Sequence, residues 1–161
     1  ETKGMPLEQV RQMFSQVSGA AAEVGVEIDF DTVIAANTFD AHRLVHLAGA
    51  RGEDLIEALF HAHFVEGDVV DDRETLVRIA ASAGLDADLV RAALESDAAA
   101  DAVRADLLAA RQLGVTGVPF FVANRAVAVS GAQPEDVFLA LLQRALEDVD
   151  SEEDQSVRDA R

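Results

Sequence analysis

Cysteine is absent from this sequence of 161 residues. The chain therefore has no disulfide, no thiolate nucleophile and no cysteine-based metal site. The absence says little about compartment, because many cytosolic proteins are simply poor in cysteine. Basic residues are scarce too: 13 stand against 30 acidic ones, for a formal net charge of −17. Such a field repels phosphate backbones and anionic lipid, which argues against nucleic acid and against a membrane surface as partners. No apolar run approaches the ~18 residues of a membrane span, and no signal-peptide pattern opens the chain. The first residue is Glu1, and ETKGMPLEQ reads as a loop entering a helix, so an upstream portion is expected.

What the sequence has is helix grammar. Pro6 suits a first turn with Glu8 on its dipole, and Val10, Met13, Phe14 and Val17 recur at helical spacing before Gly25. VEIDFD (26–31) alternates apolar and acidic residues, which permits a short strand or an extended link. Asn37 or Thr38 can cap a helix that buries Leu44, Val45, Leu47 and Ala48. Beyond Gly49 and Gly52, a further helix carries Leu55, Ile56, Leu59, Phe60 and Phe64 as an apolar stripe. Asp72, Asp86 and Asp97 each precede another helical pattern, and Gly84 and Gly114 close two of them. The apolar positions do not align at a fixed period, so these helices are not sequence repeats.

The texture changes at TGVPFFVANRAVAVSGAQ (116–133). Pro119-Phe-Phe-Val122 and Val127-Ala-Val129 flank a turn and predict a β-hairpin. Proline lacks a backbone N–H, so Pro119 belongs at a strand start, an edge or a bulge. The Val118–Pro119 bond can begin the strand in trans, or be cis and shape a site. Phe120, Phe121 and Val122 are consecutive and apolar, as in a strand buried on both faces, yet a lone hairpin leaves its edges unpaired. Strands from an upstream segment or from a second chain are expected to complete the sheet. Pro134, Glu135 and Asp136 then start a last helix with Val137, Phe138, Leu141, Leu142 and Ala145 on one face. From Glu147 the chain is polar and mostly acidic, which reads as a solvated, flexible tail.

NTFDAHRLVHLA (37–48), GVTGVPFFV (114–122) and VSGAQPEDVFLALL (129–142) together resemble the DsbA family of thioredoxin-like proteins, in particular its FrnE-type subgroup. The resemblance covers about residues 5–146. It implies an α/β, thioredoxin-like fold with a large helical insertion, of which this chain supplies the helices and a C-terminal β-hairpin and helix. The implied organisation is a helical insertion domain at 5–96, the C-terminal part of a thioredoxin-like domain at 97–148, and an acidic tail at 149–161. The family's Cys-x-x-C unit precedes the matched region and has no counterpart here, so the redox cysteines are expected outside this chain.

On the same resemblance, Val118–Pro119 is the family's cis-proline bond, and Thr116, Gly117, Val118 and Pro119 hold the backbone of an extended substrate. Asn37, Thr38 and His42 are expected to face the cleft, with the helical domain as one wall, and Gln133 to lie at it. The implied activity is thiol–disulfide oxidation, reduction or isomerisation on proteins or small thiols, with no cofactor, in a bacterial cytoplasm and with a homodimer as one arrangement. Two other readings stand beside it. One is a glutathione-using enzyme of the kappa-transferase or chromene-carboxylate isomerase type, in which the Val118 backbone and the Gln133 turn hold glutathione. The other is a helical binding module without catalysis.

The remaining motifs carry bland readings. His42 and His46 are spaced i, i+4, and His61 and His63 follow on the next helix, a spacing that can seat a metal. No His-Glu-x-x-His pattern or third ligand accompanies them, so surface or packing roles are favoured and no metal is expected. Asn37 and Thr38 are explained almost as well by capping. The acidic runs Asp71-Asp72 and Glu152-Glu153-Asp154 lack the glycine-centred spacing of a calcium loop.

Overall fold

A computed structural model describes the backbone of residues 6–159, and side chains as far as Glu147. Its α-helices are α1 (Leu7–Glu23), α2 (Phe39–Leu47), α3 (Gly52–Phe64), α4 (Arg73–Ser82), α5 (Ala87–Glu95), α6 (Ala100–Gln112) and α7 (Glu135–Asp159). A single 3-10 turn, Gly49–Arg51, joins α2 to α3, and the strands β1 (Phe120–Ala123) and β2 (Val127–Ser130) lie between α6 and α7. None of the described helices is long and apolar enough to cross a membrane. The chain divides into two compact units, Glu1–Arg104 and Ala105–Arg161. The expected boundary at 96/97 precedes α6, whereas the observed one falls inside it. The first turn of α6 buries Ala100 and Val103, and Arg104 sits over the Phe39 ring of α2 at 5.8 Å.

The first unit is built on caps and a shared apolar core. Asp72 accepts from the Thr75 N–H at 2.8 Å, and Asp86 accepts from the N–H groups of Asp88 and Leu89, which satisfies donors that a helix start leaves unpaired. Leu55, Leu76, Ile79 and Leu94 are fully buried, and Leu44, Ala62, Val70 and Val90 pack with them. Arg43 stands among them at 4% exposure, the one charged side chain buried in the described unit. Its guanidinium donates to Asp40 at 2.6 Å, and to the carbonyls of Ala93 at 2.6 Å, Ser96 and Ala98 at 2.9 Å. A buried arginine is tolerable only when every donor group finds such an acceptor.

Of the two readings VEIDFD permits, it takes the link, held by Asp29 N–H to the Phe64 carbonyl at 2.8 Å and by Ser18 Oγ to the Ile28 carbonyl, with no neighbouring strand among the described residues to pair it. Other expectations about this unit are corrected. The α6 helix begins at Ala100 rather than Asp97, after a left-handed Ala99 (φ 57°). The apolar stripe of α1 buries only Val10, while Met13, Phe14 and Val17 stay substantially exposed, with Phe14 stacked on Phe30 at 4.4 Å. Leu47 and Phe60 also face outward.

In the second unit β1 and β2 pair antiparallel, Phe121 opposite Val129 and Ala123 opposite Val127. Three residues lie between Ala123 and Val127; Asn124 and Arg125 both have positive φ (51° and 58°), and the Ala126 N–H reaches the Ala123 carbonyl at 3.1 Å, which closes a primed turn within the loop. Phe121 meets Phe138 of α7 edge-on at 4.7 Å, so α7 covers one face of the hairpin. Burial of Phe121 and Val122 on both faces is not observed: each remains more than a third exposed, because no third strand pairs with β1 among the described residues. Along the tail expected from 149 the backbone continues α7 as far as Asp159. No glycine or proline interrupts 135–161, and acidic, Gln, Arg and Ala residues support helix. Residues 160–161, and the tail's side chains, lie outside the described residues.

Candidate functional site

The segment before β1 is framed firmly at both ends and is open in between. Helix α6 stops at Gly114 (φ 77°), where the Val115 N–H reaches the Ala110 carbonyl at 3.0 Å and the Gly114 N–H the Arg111 carbonyl at 3.1 Å. This double closure is the glycine-based helix stop that the sequence signals. At the other end the Pro119 carbonyl accepts from the Gly131 N–H at 2.8 Å, just past β2. Between these anchors the backbone of Thr116, Gly117 and Val118 makes no hydrogen bond among the described residues. Val118 is 88% exposed, and its bond to Pro119 is cis.

Gln133 belongs to the same place. Its Nε2 donates to the Ser130 carbonyl at 3.0 Å, folding the 130–133 turn around Gly131, which has φ 84° and holds Pro119. The structure thus brings Pro119 and Gln133 together through one intervening glycine. Thr116 and Gly117 lie on the open stretch leading to them, exposed to water.

Asn37, Thr38 and His42 belong to the other unit. Asn37 Oδ1 accepts from the Phe39 N–H at 3.0 Å, so the capping reading of Asn37 holds, and its own N–H donates to Asp71 Oδ2 at 3.1 Å. Thr38 occupies the cap position itself but contributes no side-chain bond. Thr38 and His42, one turn apart on α2, line a cleft of about 360 Å³ whose far wall is Ile56, Phe60, His63 and Phe64 of α3. Asn37 is not in that wall. The sequence weighed His63 as a metal ligand and favoured a surface or packing role; here its Nδ1 lies 3.5 Å from the Asp68 carbonyl, and the ring abuts Phe64 at 4.8 Å. Among the described residues, no group of three or more His, Cys, Asp or Glu side chains is placed to hold a metal ion.

Charge perturbation lies away from these positions. The Thr75 N–H holds the Asp72 carboxyl below its ordinary range, and the Arg91 guanidinium does the same for Glu74. Asp68 raises Arg78, and Glu74 raises Arg91. These are surface pairs that stitch α4 to its neighbours. The open backbone at 116–118 has no ionisable side chain of its own.

Residues 2–143 match the DSBA-like thioredoxin domain. The chain belongs to that family. A crystal structure of a "probable DsbA oxidoreductase" from Streptomyces coelicolor is similar to it, with a TM-score of 0.83 and 44% sequence identity. That similarity covers 89% of this chain and 63% of the Streptomyces protein, so the DsbA-like chain spans less than two thirds of that relative. No curated protein matches. The fold is accordingly a DSBA-like thioredoxin fold, mostly helical, with a two-stranded antiparallel sheet and a C-terminal helix. In this DsbA-like chain the signals quoted from the sequence fall on α2, on the approach to β1 and on the turn into α7.

Proposed function

We propose that this DsbA-like chain is the substrate-holding part of a thiol–disulfide oxidoreductase or isomerase of the FrnE type. The observation that carries the reading is the unbonded backbone of Thr116–Val118, framed by the α6 stop and the Pro119–Gly131 bond. A backbone edge left open in this way can pair with an extended polypeptide as a further strand would, through main-chain N–H and C=O groups. Thr116, Gly117, Val118 and Pro119 hold the substrate, and Gln133 supports the turn against which they rest. In thiol–disulfide exchange a thiolate attacks one sulfur of a disulfide, and the other sulfur leaves as a thiolate. Since the chain has no cysteine, the attacking thiol comes from outside these 161 residues. The substrate is a protein or a small thiol in its disulfide form.

The test is an amide chemical-shift titration with a cystine-containing peptide. The Thr116, Gly117 and Val118 amides are expected to shift and to become protected from exchange. Shifts confined to other parts of the chain would remove the reading, and so would turnover of a disulfide substrate by the chain alone.

A further inference from the structure

Helix α3 turns an aromatic ridge outward. Phe60 is 56% exposed although it belongs to the helix's apolar stripe, and it meets Phe64 with ring centroids 6.1 Å apart. The cleft lined by Thr38 and His42 lies on one side of this ridge. On the other side is a second depression of about 580 Å³, where Val26 and Ile28 of the 26–31 link and Val65 face the same two phenylalanines. Val26 is itself about half exposed. Two apolar depressions sharing one protruding aromatic form a larger patch than scattered surface residues make, and such patches mark binding surfaces.

The rim of the second depression is acidic. Glu27 and Glu57 line it, and neither carboxylate has an ion-pair or hydrogen-bond partner among the described residues. By contrast Glu66, on the same flank, already faces His61 at 3.5 Å. The whole chain adds a net charge of −17. This charge opposes a second copy as occupant and favours a cation, whose flat or alkyl portion can also lie on the Phe60 ring.

We propose that the Phe60 ridge is a docking site for a basic, apolar polypeptide segment, one that sets a large apolar side chain beside arginine or lysine. A chain segment can straddle the ridge and fill both depressions, whereas a small organic cation would occupy one. The apolar side chain supplies the buried anchor, and Glu27 and Glu57 select the flanking cations. The site needs no thiol and does not depend on the exchange chemistry proposed above.

The sequence contains no tryptophan and no tyrosine, so a tryptophan in a peptide reports binding without background. The probe is a short synthetic peptide with a Trp-Leu pair between arginines, titrated with the full chain. Binding is expected to saturate, and a matched peptide with glutamine for arginine is expected to bind more weakly, by a margin that shrinks in salt. Phe60→Ser should weaken binding more than roughly tenfold, because it removes a large apolar contact. Glu27→Gln and Glu57→Gln should each weaken it about threefold, as rim charges do. Leu89→Ser, the deletion of a still more exposed apolar side chain on α5, should leave binding unchanged, and circular dichroism checks that each variant is folded. Equal affinity for the glutamine peptide, or an unaffected Phe60→Ser protein, would overturn the proposal. Full displacement of the peptide by free arginine at equal concentration would also overturn it, in favour of a small cation. Self-association that Phe60→Ser abolishes would give the surface to a second copy instead.

Discussion

The side-chain amide of Asn124 donates to the backbone carbonyl of Ala145 at 2.7 Å, so the tip of the hairpin is tied to α7. Asn124→Asp keeps a residue that tolerates the left-handed turn, but it removes the donor and sets a carboxylate against a carbonyl oxygen. The expected loss is about 1 kcal/mol at neutral pH. It should shrink in acid, where a protonated carboxyl again has an O–H to donate. Urea denaturation at several pH values measures it, and an unchanged midpoint at neutral pH would mean that the bond contributes nothing.

Arg43 is the strongest single polar determinant of the first unit. Arg43→Met leaves the carbonyls of Ala93, Ser96 and Ala98 without their buried donor and takes from Asp40 its closer partner, leaving it Arg73 at 3.4 Å. A loss of about 3 kcal/mol or more is expected, in line with breaking a buried, hydrogen-bonded charge. Arg43→Lys should not restore it, since one ammonium cannot reproduce the spread of a guanidinium fork. Recovery of wild-type stability by lysine would contradict this account.

Two glycines with the same handedness give a paired test. Gly67 has φ 72°, and a Cβ there would lie 2.8 Å from Thr32 Cβ and 3.0 Å from the Thr32 carbonyl. Gly25 has φ 77° but meets nothing within 4 Å. Gly25→Ala should therefore show only the left-handed backbone term, about 1 kcal/mol, and Gly67→Ala distinctly more because the backbone and side chain of Thr32 must move. Equal losses in thermal melts would show that the clash relaxes without cost.

Asp72 contributes a pH dependence whose sign follows from its cap. Its folded-state pKa lies below the ordinary value of 3.8, chiefly because the Thr75 N–H favours the charged form. A depressed carboxylate pKa gives stability that is present above the unfolded value and lost as pH falls through the folded one. Asp72→Asn retains a neutral cap, so the gap between the two proteins isolates the charge. The melting temperature of the variant should sit a few degrees lower at neutral pH and converge with the parent in acid. A gap that persists unchanged at the acid end would exclude this origin.

The parts of the fold that were legible in the sequence are those written in local chemistry. Asp72 and Asp86 mark helix starts because a carboxylate satisfies amides two or three residues on, and Gly114 marks a stop because only a left-handed residue closes the turn. The hairpin was legible from the two apolar runs that flank Asn124 and Arg125. Arg43 escaped notice, because three of its four partners lie 50 to 55 residues away and are backbone carbonyls, which leave no trace in side-chain patterns. Phe60 was read as core because a 3.6-residue stripe does not say which of its members has a neighbour to pack against. Pro119 and Gln133 stood out in the sequence as separate positions, whereas their connection through Gly131 required the fold.

Arg43 distributes mutational risk unevenly across its seam. The end of α5 and the connection to α6 offer it three carbonyl oxygens, and every amino acid carries the same carbonyl. Residues 93 and 98 can therefore drift toward whatever local packing admits, with the contact to α2 conserved by the backbone alone. Ser96 is held besides by its hydroxyl, which donates to the Ala93 carbonyl and accepts from the Ala98 N–H. The other partner of the seam has no such latitude, since no second side chain presents a forked set of donors. Among relatives, variation is expected to accumulate on the loop side of this contact and to be purged at a single codon on the helix side.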